Sequence, residues 1–123
     1  MRQITLEGAI RAAERITGHT IIQTECTLNI TCKCEGVARR FTRLRSKEPW
    51  KVVEALVVDV YRHHSRIVMA RQDYRCAECE ELGRLEIDHI VPRARGRDDR
   101  IENLRAVCAG MTGCQCHAKK HGG

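Results

Sequence analysis

Leu85-Glu86-Ile87-Asp88-His89-Ile90-Val91-Pro92 decides how the second half of the chain is read. Charged and apolar residues alternate along it, as in a half-buried strand. Pro92 ends it, because proline cannot donate to a ladder. The strand presents Asp88 and His89 side by side. Asn103 follows His89 by fourteen residues, in Glu102-Asn103-Leu104-Arg105-Ala106-Val107-Cys108; His117 follows by another fourteen, and His121 lies four further on. Each residue type has a chemical use. A carboxylate such as Asp88 binds a hard divalent cation, and imidazoles at i and i+4 of a helix, His117 and His121, can hold the same ion. Imidazole exchanges protons near neutral pH, so His89 is suited to take one from water. The Asn103 amide can fix that ring without competing for protons.

Cysteines bracket this strand. Cys76-Ala77-Glu78-Cys79 is a knuckle whose two thiolates can grip one ion from a tight turn, and Cys108 with Cys114 or Cys116 offers the other half. Four sulfurs around a tetrahedral zinc would clip the two ends of a loop together. A CxxC pair can also be a redox centre, but no thioredoxin-like strand and helix surround this one. Cys26, Cys32 and Cys34 repeat the spacing of Cys108, Cys114 and Cys116. That trio could join Cys114 in a second zinc site, although isolated buried cysteines are the commoner outcome.

Taken in order, Tyr74-Arg-Cys-Ala-Glu-Cys79, Leu85-Glu-Ile-Asp-His-Ile-Val-Pro-Arg93, Glu102-Asn-Leu-Arg-Ala-Val-Cys108 and Cys116-His-Ala-Lys-Lys-His121 resemble the zinc-containing branch of the HNH endonucleases. The resemblance covers the last fifty or so residues and implies the ββα-metal (His-Me finger) fold. By that resemblance His89 is the general base that activates water, and Asn103 orients it and shapes the loop between strands. Asp88 and His117 hold a catalytic divalent ion, with His121 as an additional ligand. Cys116 becomes the fourth zinc cysteine beside Cys76, Cys79 and Cys108. The sequence departs from the family in spacing: the family usually has two residues between its last cysteines, whereas Ala109–Gln115 separate Cys108 from Cys116 here. Gly96-Arg97 stands where a glycine pair is usual. Arg93, Arg95, Arg97, Lys119 and Lys120 flank the site and would neutralise phosphates. The implied activity is metal-dependent hydrolysis of phosphodiester bonds in DNA, with a structural Zn2+ and one catalytic cation among Mn2+, Ni2+, Co2+, Zn2+ and Mg2+.

Upstream, Pro49 opens the longest helical pattern, with Val53, Leu56, Val57, Val60, Tyr61, Ile67 and Val68 at helical spacing. His63 and His64 are adjacent on it and point in different directions, which favours packing or surface roles over joint metal binding. Thr5 to Ile16 reads as a short amphipathic helix ending at Gly18. Thr20 to Lys33 reads as one or two strands, with Glu35-Gly36 as a turn before Val37 to Leu44. The expected fold is α+β: an N-terminal helix and small sheet over 1–45, a connecting helix over 46–72 and a zinc-stabilised HNH module over 73–123.

The totals set limits on this. A chain of 123 residues holding 3% aromatics buries a modest core and benefits from a staple such as a metal. A formal charge of +6 suits a nucleic-acid partner once it flanks a chemical site. No stretch reads as a signal peptide, and the longest apolar run, Ala55–Val58, is too short for a bilayer. A cytoplasmic location in a bacterium or phage-infected cell, with reduced thiols and no membrane partner, is the expectation. Two other readings compete: a non-catalytic zinc-dependent nucleic-acid-binding module, and a phage packaging or recombination adaptor that binds a protein through residues 1–45. One site makes one nick, so a double-strand break would need a homodimer or two visits.

Overall fold

The computed structural model describes residues 5–109, and the chain divides into two compact units, 1–63 and 64–123. In chain order the elements are α1 (Leu6–Thr17), β1 (Ile21–Gln23), β2 (Thr27–Cys32), β3 (Arg39–Leu44), α2 (Pro49–Arg71), β4 (Leu85–His89) and β5 (Leu104–Cys108). The described architecture is the expected mixture of helices and small sheets. The cysteine, lysine and histidine expectations at 114–121 lie outside the described residues.

In the first unit, helix α1 is bounded by its own sequence. The Thr5 hydroxyl accepts from the Gly8 N–H at 3.0 Å, which caps an orphan donor of the first turn. Gly18 at the other end adopts φ +75°, a left-handed conformation that glycine enters without steric cost. Its N–H donates to the Glu14 carbonyl at 2.9 Å. The three strands form an antiparallel sheet in the order β1-β2-β3. Along the central strand, burial alternates as a period of two requires, so Leu28, Ile30 and Cys32 face the core. Gly36, at φ +82° with its N–H on the Lys33 carbonyl, turns the chain into β3.

Ile10 and Ala13 of α1, Ile21, Leu28 and Ile30 of the sheet, and Val53, Leu56, Val57 and Val60 of α2 form one apolar cluster. A bidentate pair from Arg43 to Asp59, at 3.0 and 2.9 Å, ties β3 to α2 beside it. Among the described residues no helix is long and apolar enough to cross a membrane.

In the second unit, α2 ends in a turn at Asp73 and Tyr74, both at positive φ, with the Tyr74 N–H donating to the Met69 carbonyl. Strands β4 and β5 pair antiparallel from Leu85↔Cys108 to His89↔Leu104. The Gln72 amide acts as an added strand residue: its Nε2 donates to the Ala106 carbonyl at 2.9 Å and its Oε1 accepts from the Ala106 N–H at 2.9 Å. Strand β4 ends at His89, three residues short of Pro92. Asn103 is the reason, since its backbone and side chain take over the N–H groups of Ile90 and Val91.

Leu56 is fully buried at the centre of the first cluster, whereas Glu54 on the same helix is exposed. Leu56→Ala should therefore destabilise the protein by about 2–5 kcal/mol in chemical denaturation, and Glu54→Ala by less than about 0.5 kcal/mol. Equal effects of the two substitutions would contradict this core.

Candidate functional site

The β4–β5 ladder has two ends, each with its own chemistry. At one end stands His89, the last residue of β4. Its side chain is 10% exposed, and Nε2 lies 2.8 Å from Oδ1 of Asp99, a carboxylate with no exposure at all. Because a carboxylate only accepts, Nε2 is the donor of this bond. Asp99 also accepts from Arg97 through Nε at 2.9 Å and Nη2 at 2.8 Å. Its backbone carbonyl sits 2.7 Å from Nδ1 of His64, a buried ring on α2. A buried carboxylate is costly unless paired and hydrogen-bonded; Asp99 has both.

Asn103 occupies the residue before β5 and is buried. Its Oδ1 accepts from the Val91 N–H at 2.8 Å, and its Nδ2 donates to the carbonyls of Asp98 at 2.8 Å and Val91 at 3.4 Å. These bonds hold the loop from Ile90 to Arg100 in shape. The Asn103 amide bonds loop backbone, and the His89 ring bonds Asp99.

Asp88 precedes His89 and so projects to the opposite side of the strand. It is 2% exposed, and its Oδ2 accepts from Nε of Arg105, its cross-strand neighbour, at 3.1 Å. The same guanidinium reaches Glu78 through Nη1. Burial works against the Arg105 charge, but its bonds to Asp88 and Glu78 outweigh that and raise its pKa above the ordinary value.

The predicted phosphate contacts divide into two kinds. Arg93 and Arg95 lie on an exposed short helical turn that Gly96 ends at φ +111°. Arg97 instead turns inward onto Asp99. Arg100, beyond it, pairs with Asp98 at 2.8 Å, and this contact depresses the Asp98 pKa.

At the other end of the ladder Cys76, Cys79 and Cys108 bring their sulfurs within 4.8 Å of one another. Cys79 Sγ and Cys108 Sγ are 3.6 Å apart. A disulfide needs about 2.05 Å. Two thiolates on one tetrahedral zinc stand about 3.8 Å apart. The knuckle is wound for anions: the N–H groups of Glu78 and Cys79 point at Cys76 Sγ, at 3.3 and 3.5 Å. Burial raises the Cys76 pKa, but backbone hydrogen bonds from Cys79, Glu78 and Cys108 and the contact with Cys108 outweigh it, leaving the value lowered to about 7. Glu80, at φ +62°, closes the turn with its N–H on the Cys76 carbonyl. Three thiols so arranged fit a metal ion that prefers soft ligands.

The structure thus places His89 and Asn103 at one end of a ladder, Asp88 one residue along on the opposite face of β4, and Cys76, Cys79 and Cys108 at the other end. Cys116, His117, Lys119, Lys120 and His121 lie outside the described residues. Asp99, Arg105 and Gln72 went unnoticed in the sequence. Asp99 sits in a charged run, Arg97-Asp-Asp-Arg100, where nothing in composition separates the buried carboxylate from its exposed neighbours.

The family model of HNH endonucleases matches residues 75–123. No curated protein and no solved structure matches the chain.

The Asn103 bonds give a direct test. Asn103→Ala should speed hydrogen exchange at the Val91 N–H at least tenfold, which corresponds to about 1.4 kcal/mol of local stability. The Ala77 N–H, which donates to the Ala106 carbonyl at the cysteine end, should keep its wild-type rate. Unchanged exchange at Val91 would show that Asn103 does not hold the loop.

Proposed function

We propose, from the premise that residues 75–123 belong to the HNH endonuclease family, that the protein hydrolyses phosphodiester bonds in DNA. The observation that carries this reading is the His89–Asp99 hydrogen bond at 2.8 Å. It orients an imidazole at the rim of the ladder, with Asp88 the preceding residue of the strand.

His89 then acts through Nδ1, taking a proton from the attacking water as the oxygen approaches phosphorus. Asp99 keeps the ring oriented and stabilises the imidazolium that results, while Arg97 compensates the Asp99 charge. Asn103 keeps the loop that carries Asp99 against the strand. Asp88 and His117, with His121, would hold one divalent ion, which when bound supplies positive charge against that developing on the phosphate and the departing 3′ oxygen. The products are 5′-phosphate and 3′-hydroxyl ends. Cys76, Cys79 and Cys108, with Cys116, would hold a structural zinc at the far end of the ladder. Arg93 and Arg95, with Lys119 and Lys120, meet flanking phosphates, so binding weakens steeply with salt. Each site cuts one strand, and a double-strand break takes a second copy of the chain or a second visit.

One observation favours a second reading. Asp88 is buried and held by Arg105, so a cation must compete with a guanidinium for that carboxylate. A module that binds nucleic acid through the same surface without cutting it would have no need of the competition.

A supercoiled-plasmid nicking assay separates the two. With Mn2+, Ni2+, Co2+, Zn2+ or Mg2+ in turn, wild type should nick, EDTA should abolish nicking, and His89→Ala should lose about 10²–10⁴-fold at unchanged zinc content and helicity. DNA binding by both proteins with no cutting under any ion would leave the non-catalytic module as the function.

A further inference from the structure

The first unit carries a donor cluster that the nuclease chemistry does not use. His19, Cys32 and Cys34 each offer a ligand atom, and these atoms lie within 4.8 Å of one another. Cys32 is wholly buried at the end of β2, and Cys34 and His19 are partly buried. Cys34 Sγ and His19 Nε2 are 3.8 Å apart. A sulfur and an imidazole nitrogen on one tetrahedral zinc are separated by about 3.5 Å. The cluster is therefore close to metal-binding geometry without any rearrangement of backbone.

Local structure explains how the three donors come together. Gly18 ends α1 in the left-handed region, and the chain reverses there. The buried Thr17 hydroxyl donates to the Ala13 carbonyl at 2.8 Å and accepts from the His19 N–H at 3.2 Å, which fixes the backbone that presents the ring. The two thiols come from the other side. Cys32 is the last residue of the central strand, and Cys34 lies in the turn that Gly36 closes on Lys33. Cys26, which shares the Cys32 and Cys34 spacing pattern, is exposed and is not in this group; the third donor is the histidine.

We propose that His19, Cys32 and Cys34 bind a zinc ion that is distinct from the one at Cys76, Cys79 and Cys108. Two thiolates and a neutral imidazole form a borderline-soft, net-neutral set for Zn2+, and a fourth donor completes the tetrahedron. The ion ties the C-terminal end of α1 to the end of β2 and the β2–β3 turn. Its role is structural, in a unit whose apolar core is small.

The test is metal content of the full-length chain, expressed with zinc and dialysed against a weak chelator. Wild type should hold one zinc ion per chain more than Cys32→Ser/Cys34→Ser, and Cys26→Ser should match wild type. In the cobalt-substituted protein, the difference between wild type and the double variant should show thiolate-to-cobalt charge transfer with tetrahedral d–d bands. Should the double variant fail to fold, the pair His19→Cys and His19→Gln decides. His19→Cys should keep the ion and shift the cobalt bands, and His19→Gln should lose it. Equal zinc in wild type and either metal-losing variant would overturn the proposal, as would a Cys32–Cys34 disulfide in the mass of freshly purified wild type.

Discussion

A two-stranded ladder of five residue pairs cannot hold its register alone in water, and everything chemical in the second unit hangs on one such ladder. Slipping β4 by one residue would exchange the faces of Asp88 and His89. The ladder is held at both ends instead. Beyond Leu85↔Cys108 the Ala109 N–H donates to the Arg84 carbonyl, and the thiol cluster closes over that end. Beyond His89↔Leu104 the Ile90 N–H donates to the Asn103 carbonyl, and the Asn103 side chain takes over from there. Four steps along a strand span about 14 Å, so the thiol end and the His89 end stay apart.

Asp99 is the hinge between fold and chemistry. One carboxylate oxygen holds the His89 ring, the other holds Arg97, and the backbone carbonyl holds His64. Each bond fixes a different element: a strand end, a loop and a helix. The cost of a fully buried carboxylate is met by one permanent cation and one titratable ring. Replacing Arg97 would shift the burden to His89, so the arginine matters to how the His89 ring is held.

Much of this was legible in the sequence where the signal was local. Thr5 and Gly18 mark the ends of α1, and Pro49 marks the start of α2, because capping and backbone restriction act within a turn or two. The alternation through Leu85–His89 gave the strand and the pairing of an acid with a base. Asn103 was found by spacing, but its bonds to Val91 and Asp98 are made twelve and five residues away, and no pattern in the chain shows them. Asp99, Arg105 and His19 were missed for the same reason. A buried ion pair or a convergent ligand set depends on which residues tertiary packing brings together, and an aspartate in Arg97-Asp-Asp-Arg100 looks like any solvated acid.

The two units differ in how far they lean on thiols. In the first, nine buried apolar side chains from a helix, a sheet and α2 form one cluster, and the His19, Cys32 and Cys34 donors are not part of it. In the second, Ile67, Val68, Leu104 and Ala106 are buried, and at the cysteine end of the ladder Val107 packs with Cys76 and Cys108, flanked by Cys79 and Leu85. Three of the five at that end are cysteines, so ligand and core are the same residues there. A metal bound there would add its binding energy to the folding of the ladder. The loop from Ile90 to Arg100 can then be held by the hydrogen bonds of Asn103 and Asp99 while the strands on either side of it remain fixed.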